Sequence, residues 1–248
     1  MYVKLARPDG FDFHTGNTIN YRDNIGKTVK PPKANPKGRL CSSAFIHASV
    51  KPNDCFIGAK IPCSAYRVEG TPVITEFQKC GFVELKVLEE ITNLDKLFGW
   101  NYTEVCSPIH PFKMPKKRKA TPERLELLRL WGSVRDSVRG SVRDSVWGSV
   151  RDSVRDSVGD SVWDSVWDSV GGSVWGSVWD SVRDSVWAYI GNLFPNVEKW
   201  SGIKQEPGVY PFQSAVDLWK QGIVPACDGK LWYLLSGKNA DIIWKGTM

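Results

Sequence analysis

Valine recurs at every fourth residue from Val134 to Val186, each time directly behind a serine, and this spacing dominates the chain. The unit is [Gly/Asp]-Ser-Val-[Arg/Trp/Gly], repeated fourteen times between Gly132 and Trp187 without an insertion. On an α-helix a four-residue step advances roughly 400°, so each Val lands about 40° past the last. Over the full array such a row winds around a long helix and leaves it no fixed apolar face. On a flat strand, Ser shares one side with Arg or Trp, and Val shares the other with Asp or Gly. Neither side is cleanly apolar. A short-coil β-solenoid satisfies the pattern better, with Asp and Gly at corners, Val and Ser in ladders, and Trp and Arg outermost. The solenoid is the expected structure of the array, with a long helix as the alternative and a disordered tract third.

The residues ahead of the array favour the helix. Thr121-Pro122-Glu123 reads as an N-cap, a proline at the first helical position and an acidic first turn. Leu125, Leu127, Leu128 and Leu130 carry that segment into the first repeat.

Outside the array the apolar spacing changes. Tyr2–Leu5, Ala44–Ala48, Cys55–Ile61, Ala65–Val68 and Pro72–Thr75 read as strands, and Cys80–Ile91 as a strand turning into a helix. Lys27–Arg39 is rich in Pro, Lys and Gly and reads as a loop, and Leu94–Tyr102 as a short helix closing at Gly99. After the array, Ala188–Pro195 breaks the period and can cap a repeat stack. Phe212–Lys220 is an amphipathic helix stopped by Gly222, and Lys230–Leu235 with Asp241–Lys245 form a β-hairpin. The expected fold is therefore α+β. A small N-terminal α+β domain (1–112) leads through a basic linker and helical lead-in (113–131) to the array (132–187). A C-terminal cap and helix-hairpin unit (188–248) closes the chain.

Charge narrows the roles open to the array. The chain carries a net +6, but inside the array six Arg face nine Asp, so the repeats are acidic by three and the flanks basic by nine. An acidic array repels phosphate, and nucleic acid is the less favoured partner. Trp147, Trp163, Trp167, Trp175, Trp179 and Trp187, with Arg135, Arg139 and Arg143, are instead the candidate surface for a protein partner or for self-association. Lys116-Lys117-Arg118-Lys119 reads as a basic linker, of a kind that also fits a nuclear-localisation cluster. Asp and Gly codons differ by one base, as do those of Arg, Trp and Gly, so the array reads as a tandemly duplicated unit. No catalytic residue is expected within it.

The six cysteines make no CxxC pair, and the three histidines are scattered, so no metal site is expected. The N-terminus does not read as a secretory leader, which makes reduced thiols in a cytoplasmic protein the expectation. No run of 18 apolar residues exists, so no membrane partner is expected. Walker, Rossmann and Ser/His/Asp patterns are absent.

Two resemblances add to this reading. Leu40–Ser49, with His47-Ala48-Ser49 after a Cys-containing turn, resembles segments of uncharacterised phage and bacterial domains and is similar to the His-x-Ser/Thr element of ADP-ribosyltransferase-like folds. That resemblance implies that His47 and Ser49 hold NAD and that Glu84, Glu89 or Glu90 supplies the catalytic acid. The array with Leu218–Gly222 and Asp228–Trp232 resembles phage and environmental bacterial proteins that join Ser-Val-x-Asp repeats to a Trp-rich helix-hairpin. It implies a source and no activity. The leading expectation is a non-enzymatic binding or scaffolding protein that needs no cofactor, its array a spacer or self-association surface. A diverged NAD-binding enzyme in residues 40–91 is the alternative, and a nucleic-acid-binding protein the second.

Overall fold

A computed structural model describes residues 1–114, 116–149, 158–160, 162–163, 176–206 and 208–248, without the side chains of 147–149 and 176–179. Met1–Gly99 forms one compact unit, and Trp100–Ser149 with Val158–Met248 forms a second. The fold is α+β, and its strands make three small antiparallel sheets among the described residues.

In the first unit, β1 (Tyr2–Ala6), β4 (Ser64–Glu69), β7 (Leu85–Ile91) and β2 (Thr28–Val29) lie in that order in one sheet. β3 (Ile46–Ala48), β6 (Lys79–Phe82) and β5 (Ile74–Glu76) form another. A pair of hydrogen bonds between Val3 and Ser49 (2.8 and 3.0 Å) joins edge strand β1 to the residue after β3. Tyr21, Tyr66, Val68, Phe82, Leu85 and Val87 fill the core of this unit.

Three of its elements differ from the expectation, the first being β2, which lies inside Lys27–Arg39, expected as a loop, and pairs with β7. Cys55–Ile61 is not a strand, because Pro52–Ile57 winds as a 3-10 helix with Pro52 at its first position. Proline's fixed φ suits that start, and the tight turn buries Phe56 while the Cys55 thiol donates to the Val3 carbonyl at 3.1 Å. Cys80–Ile91 contains two strands and no helix. Leu85 and Val87 are buried and Lys86 between them is exposed, the period-two pattern of a strand half-buried on one face. Beyond β7, α1 (Leu94–Phe98) starts on an Asn93 cap and ends at Gly99, whose φ of 77° is the left-handed closure expected there.

The second unit joins helices to a three-stranded sheet in the order β10 (Asp241–Gly246), β9 (Trp232–Ser236), β8 (Ile223–Cys227). α2 (Tyr102–Cys106) and α3 (Pro122–Gly132) precede the array, and α6 (Gln213–Lys220) follows it. Tyr189 stands where the repeat period ends. Its ring stacks on Trp219 at 5.1 Å, and its hydroxyl donates to Glu104 and accepts from the Ile109 amide, both at 2.8 Å. The basic run is docked on this unit. Arg118 donates to the Gln221 carbonyl (2.9 Å), and its amide donates to Ser236 Oγ (3.1 Å).

The solenoid expectation is corrected by the described part of the array, which is helical. α4 (Val138–Ser149) and α5 (Gly176–Asn192) take up its two ends, Val158–Asp160 and Val162–Trp163 are helical, and no solenoid coil occurs among the described residues. The 40° drift defeats one long helix but not short ones. Val138, Val142 and Val146 sweep only about 80° of α4, within the roughly 100° stripe that a packed helix buries. All three are buried, as are Val182, Val186 and Ile190 on α5. A 3-10 turn at Arg135–Ser137 separates α4 from α3 and resets the face.

Serine supplies the second contact of the repeat. Ser181 Oγ accepts from the Cys227 amide at 2.8 Å, and Ser185 Oγ donates to the Pro225 carbonyl at 2.9 Å. Four residues of helix rise about 6 Å, and two residues of strand advance about 6.6 Å. One repeat therefore matches one dipeptide step along the edge of β8. The helix covers a sheet edge that would otherwise offer unpaired backbone groups.

Candidate functional site

A cleft in the first unit gathers polar side chains from loops and strands far apart in sequence. Lys4 comes from β1, His14 from the loop after it, and His47 from β3, with Ser49 following. Asp54 and Cys55 come from the 3-10 helix, and Lys79 from β6. The cleft encloses about 410 Å³, part of it open to solvent.

Beside the cleft lies a buried ion pair. Lys4 Nζ sits 2.7 Å from Asp12 Oδ2, with side-chain exposures of 7% and 3%. Asp12 also accepts from Tyr21 Oη (2.9 Å) and from the amides of His14 (2.8 Å) and Thr15 (3.3 Å). Burial alone raises a carboxyl pKa. Here the ammonium and the hydrogen bonds outweigh it and hold Asp12 at about 2. Tyr21 moves the other way, raised by burial and by the Asp12 charge.

The two histidines are committed to the backbone. His14 Nε2 donates to the Gly58 carbonyl at 2.6 Å. His47 Nε2 accepts from the Cys41 amide at 3.1 Å, which places the proton of the neutral ring on Nδ1. Burial first, then the Lys79 and Lys4 charges, depress the His47 pKa to about 4. Burial likewise pushes the Cys55 thiol up to about 11. At neutral pH the cleft thus presents the neutral His47 imidazole and the protonated Cys55 thiol, beside the Lys4–Asp12 ion pair.

His47 and Ser49 do meet at this cleft, but the three glutamates expected as their acid lie elsewhere. Glu84 pairs with Lys30 (3.1 Å), Glu89 with Arg67 (2.6 Å) and Glu90 with Arg22 (2.8 Å). None lines the cleft. No group of three potential metal ligands occurs among the described residues. Sequence reasoning missed Lys4, Asp12 and Cys55 as site residues, and counted His14 only as one of three scattered histidines.

The array residues form a second constellation. Arg139 Nε contacts Asp184 Oδ1 at 2.6 Å, and Arg139 Nη2 donates to the Asp180 carbonyl at 2.6 Å. Arg135 reaches Asp184 at 3.6 Å, contacts Asp136 at 2.8 Å and lies 5.4 Å over the Trp232 ring. Arg143 pairs with Asp144 at 2.9 Å. Burial raises the Asp184 pKa although Arg139 and Arg135 draw it down. Trp163 and Trp187 are half-buried and do not form an outer row. Trp167, Trp175 and the side chains of Trp147 and Trp179 lie outside the described residues. Of the basic run, Lys117 pairs with Asp241 at 3.2 Å, Arg118 is bonded as above, and Lys116 and Lys119 flank them.

No protein-family model, curated protein or solved structure matches the chain. Among the described residues, no helix is long and apolar enough to cross a membrane.

The cleft geometry carries a direct test. NAD at millimolar concentration is expected to leave the thermal unfolding of the full chain unchanged. A stabilising shift that disappears in His47→Ala would support the NAD-binding alternative.

Proposed function

We propose that the protein is a non-enzymatic binding or scaffolding protein in which the repeat array is the self-association element. The observation that carries this reading is the pairing of one end of the array with the other. Arg139 in an early repeat holds Asp184 and the Asp180 carbonyl in late repeats, while Val138, Val142 and Val146 of α4 and Val182 and Val186 of α5 are buried. Both sides of that seam are built from the same four-residue unit. A unit that recognises its own kind within a chain offers the same complementarity to a second copy. Burial of Val138, Val142, Val146, Val158, Val162, Val182 and Val186 supports this role over that of a spacer, because a tether would leave them in water. Full engagement of Arg135, Arg139 and Arg143 by aspartates supports protein contact over phosphate contact.

Sedimentation velocity on the full chain over a hundredfold range of concentration tests the proposal. The weight-average mass is expected to rise with concentration, and a chain that stays monomeric throughout overturns the reading. Arg139→Asp and Asp184→Arg each set like charges across the seam. An equimolar mixture of the two variants is expected to assemble better than either alone if the seam forms between chains.

A further inference from the structure

The β5–β6 hairpin turns through Phe77 and Gln78, and Phe77 breaks two rules at once. Its side chain is fully exposed, and its φ of 53° lies in the left-handed region that a bulky side chain rarely adopts. A residue that is both strained and apolar at a solvent-facing tip points to a contact outside the chain.

The surroundings of the tip are basic. From Asn24 to Asn53 the chain carries six cations (Lys27, Lys30, Lys33, Lys37, Arg39 and Lys51) and no carboxylate. The loop in this stretch is strapped beside the hairpin. Lys33 N donates to the Ser43 carbonyl (3.3 Å), and Lys79 Nζ lies 3.1 Å from Cys41 Sγ. Leu40 and Ile74 crowd Gly81 so closely that a Cβ there would sit 2.8 Å from each. Lys33, Lys37 and Arg39 are exposed and make no ion pair among the described residues. Glu76 is the one carboxylate on the hairpin.

We infer that this face of the first unit docks on an anionic lipid bilayer, with Phe77 entering the interface and Lys33, Lys37, Arg39 and Lys79 facing the headgroups. A protruding ring needs no preformed pocket in a deformable bilayer, and clustered cations complement an anionic leaflet. Single-stranded nucleic acid would use several aromatic platforms. The other exposed large apolar side chains of this unit (Met1, Ile25, Val50, Ile57, Val73) are not aromatic, and so enter acyl chains but do not stack on bases. Lack of a spanning helix is compatible with such surface attachment. The inference is independent of self-association through the array.

The test is co-sedimentation of the full chain with vesicles of phosphatidylcholine alone and of phosphatidylcholine mixed with phosphatidylserine. Binding is expected only to the mixed vesicles. Phe77→Asn is expected to weaken it at least about tenfold, and the triple variant Lys33→Gln/Lys37→Gln/Arg39→Gln about a hundredfold. Asn suits the left-handed conformation, so Phe77→Asn should unfold no more readily than the parent chain, which separates loss of docking from loss of fold. No binding to the mixed vesicles overturns the inference, as does unchanged binding by Phe77→Asn. Retention on a single-stranded oligonucleotide without vesicle binding replaces it with nucleic-acid recognition.

Discussion

Asp12→Ala is expected to destabilise the first unit by about 3–5 kcal/mol, and Asp12→Asn by nearly as much. Either change leaves the Lys4 ammonium inside the unit, 7% exposed, without its counter-charge. It also removes the acceptor for the Tyr21 hydroxyl and, in the alanine variant, for the amides of His14 and Thr15. The pair itself is a poor source of net stability, since taking two charges out of water offsets most of their attraction. A Lys4→Met/Asp12→Leu double variant should therefore recover most of the loss. All twelve tryptophans lie at or beyond Trp100, so their fluorescence does not report on this unit. Hydrogen exchange in β1, β4 and β7 is the suitable measurement. Single variants that exchange like the parent chain would show that Lys4 finds water or another partner.

The same residues predict a two-stage acid response. His47 is held neutral in the folded unit, with a pKa near 4 against an ordinary 6.5. The unfolded chain therefore binds the proton first, and stability falls as pH drops from about 6.5 to about 4. Asp12 is held ionised, with a pKa near 2 against 3.8. Its contribution, about 2 kcal/mol, is present above pH 4 and is lost as pH falls through the folded value near 2. His47→Ala should remove the upper stage and leave the lower one.

Local chemistry made much of this fold legible in the sequence. Short apolar runs marked β1 and β4, turn residues marked the β9–β10 hairpin, and Gly99 and Gly222 marked two helix ends. What escaped depends on distant partners. β8 was missed because Pro225 reads against a strand, yet β8 is an edge strand, where a missing amide costs little. The array was misjudged because the drift argument treated fourteen repeats as one rod, whereas the turn at Arg135–Ser137 resets the face and the drift along Val138, Val142 and Val146 stays within one stripe. His47 and Ser49 were found as candidates, but Lys4 meets Asp12 only through the turn at Pro8–Gly10, and no spacing rule signals that encounter. The glutamates failed as their partners because cross-strand and loop cations claim all three.

The double variant Ser181→Ala/Ser185→Ala is expected to cost the second unit about 2–5 kcal/mol, read from the shift of its tryptophan unfolding transition in denaturant. Each serine serves the backbone of β8, and removing both leaves the Cys227 amide and the Pro225 carbonyl buried without these partners. Such an orphaned group costs about 1–3 kcal/mol. Ser141 is the internal control. It holds the same place in its repeat and is equally buried, but its hydroxyl has no hydrogen-bond partner among the described residues. Ser141→Ala should be neutral or stabilising, since it removes a polar atom that gains nothing from burial. The contrast bears on why serine never varies across the array. A large loss at 181 and 185 with none at 141 would mean that the repeat matches the edge of β8 only where α5 meets it, and that duplication history accounts for the remaining serines. Equal small losses at all three positions would mean that the hydroxyls merely fill space, and the match of one repeat to one dipeptide of strand would carry no energetic weight.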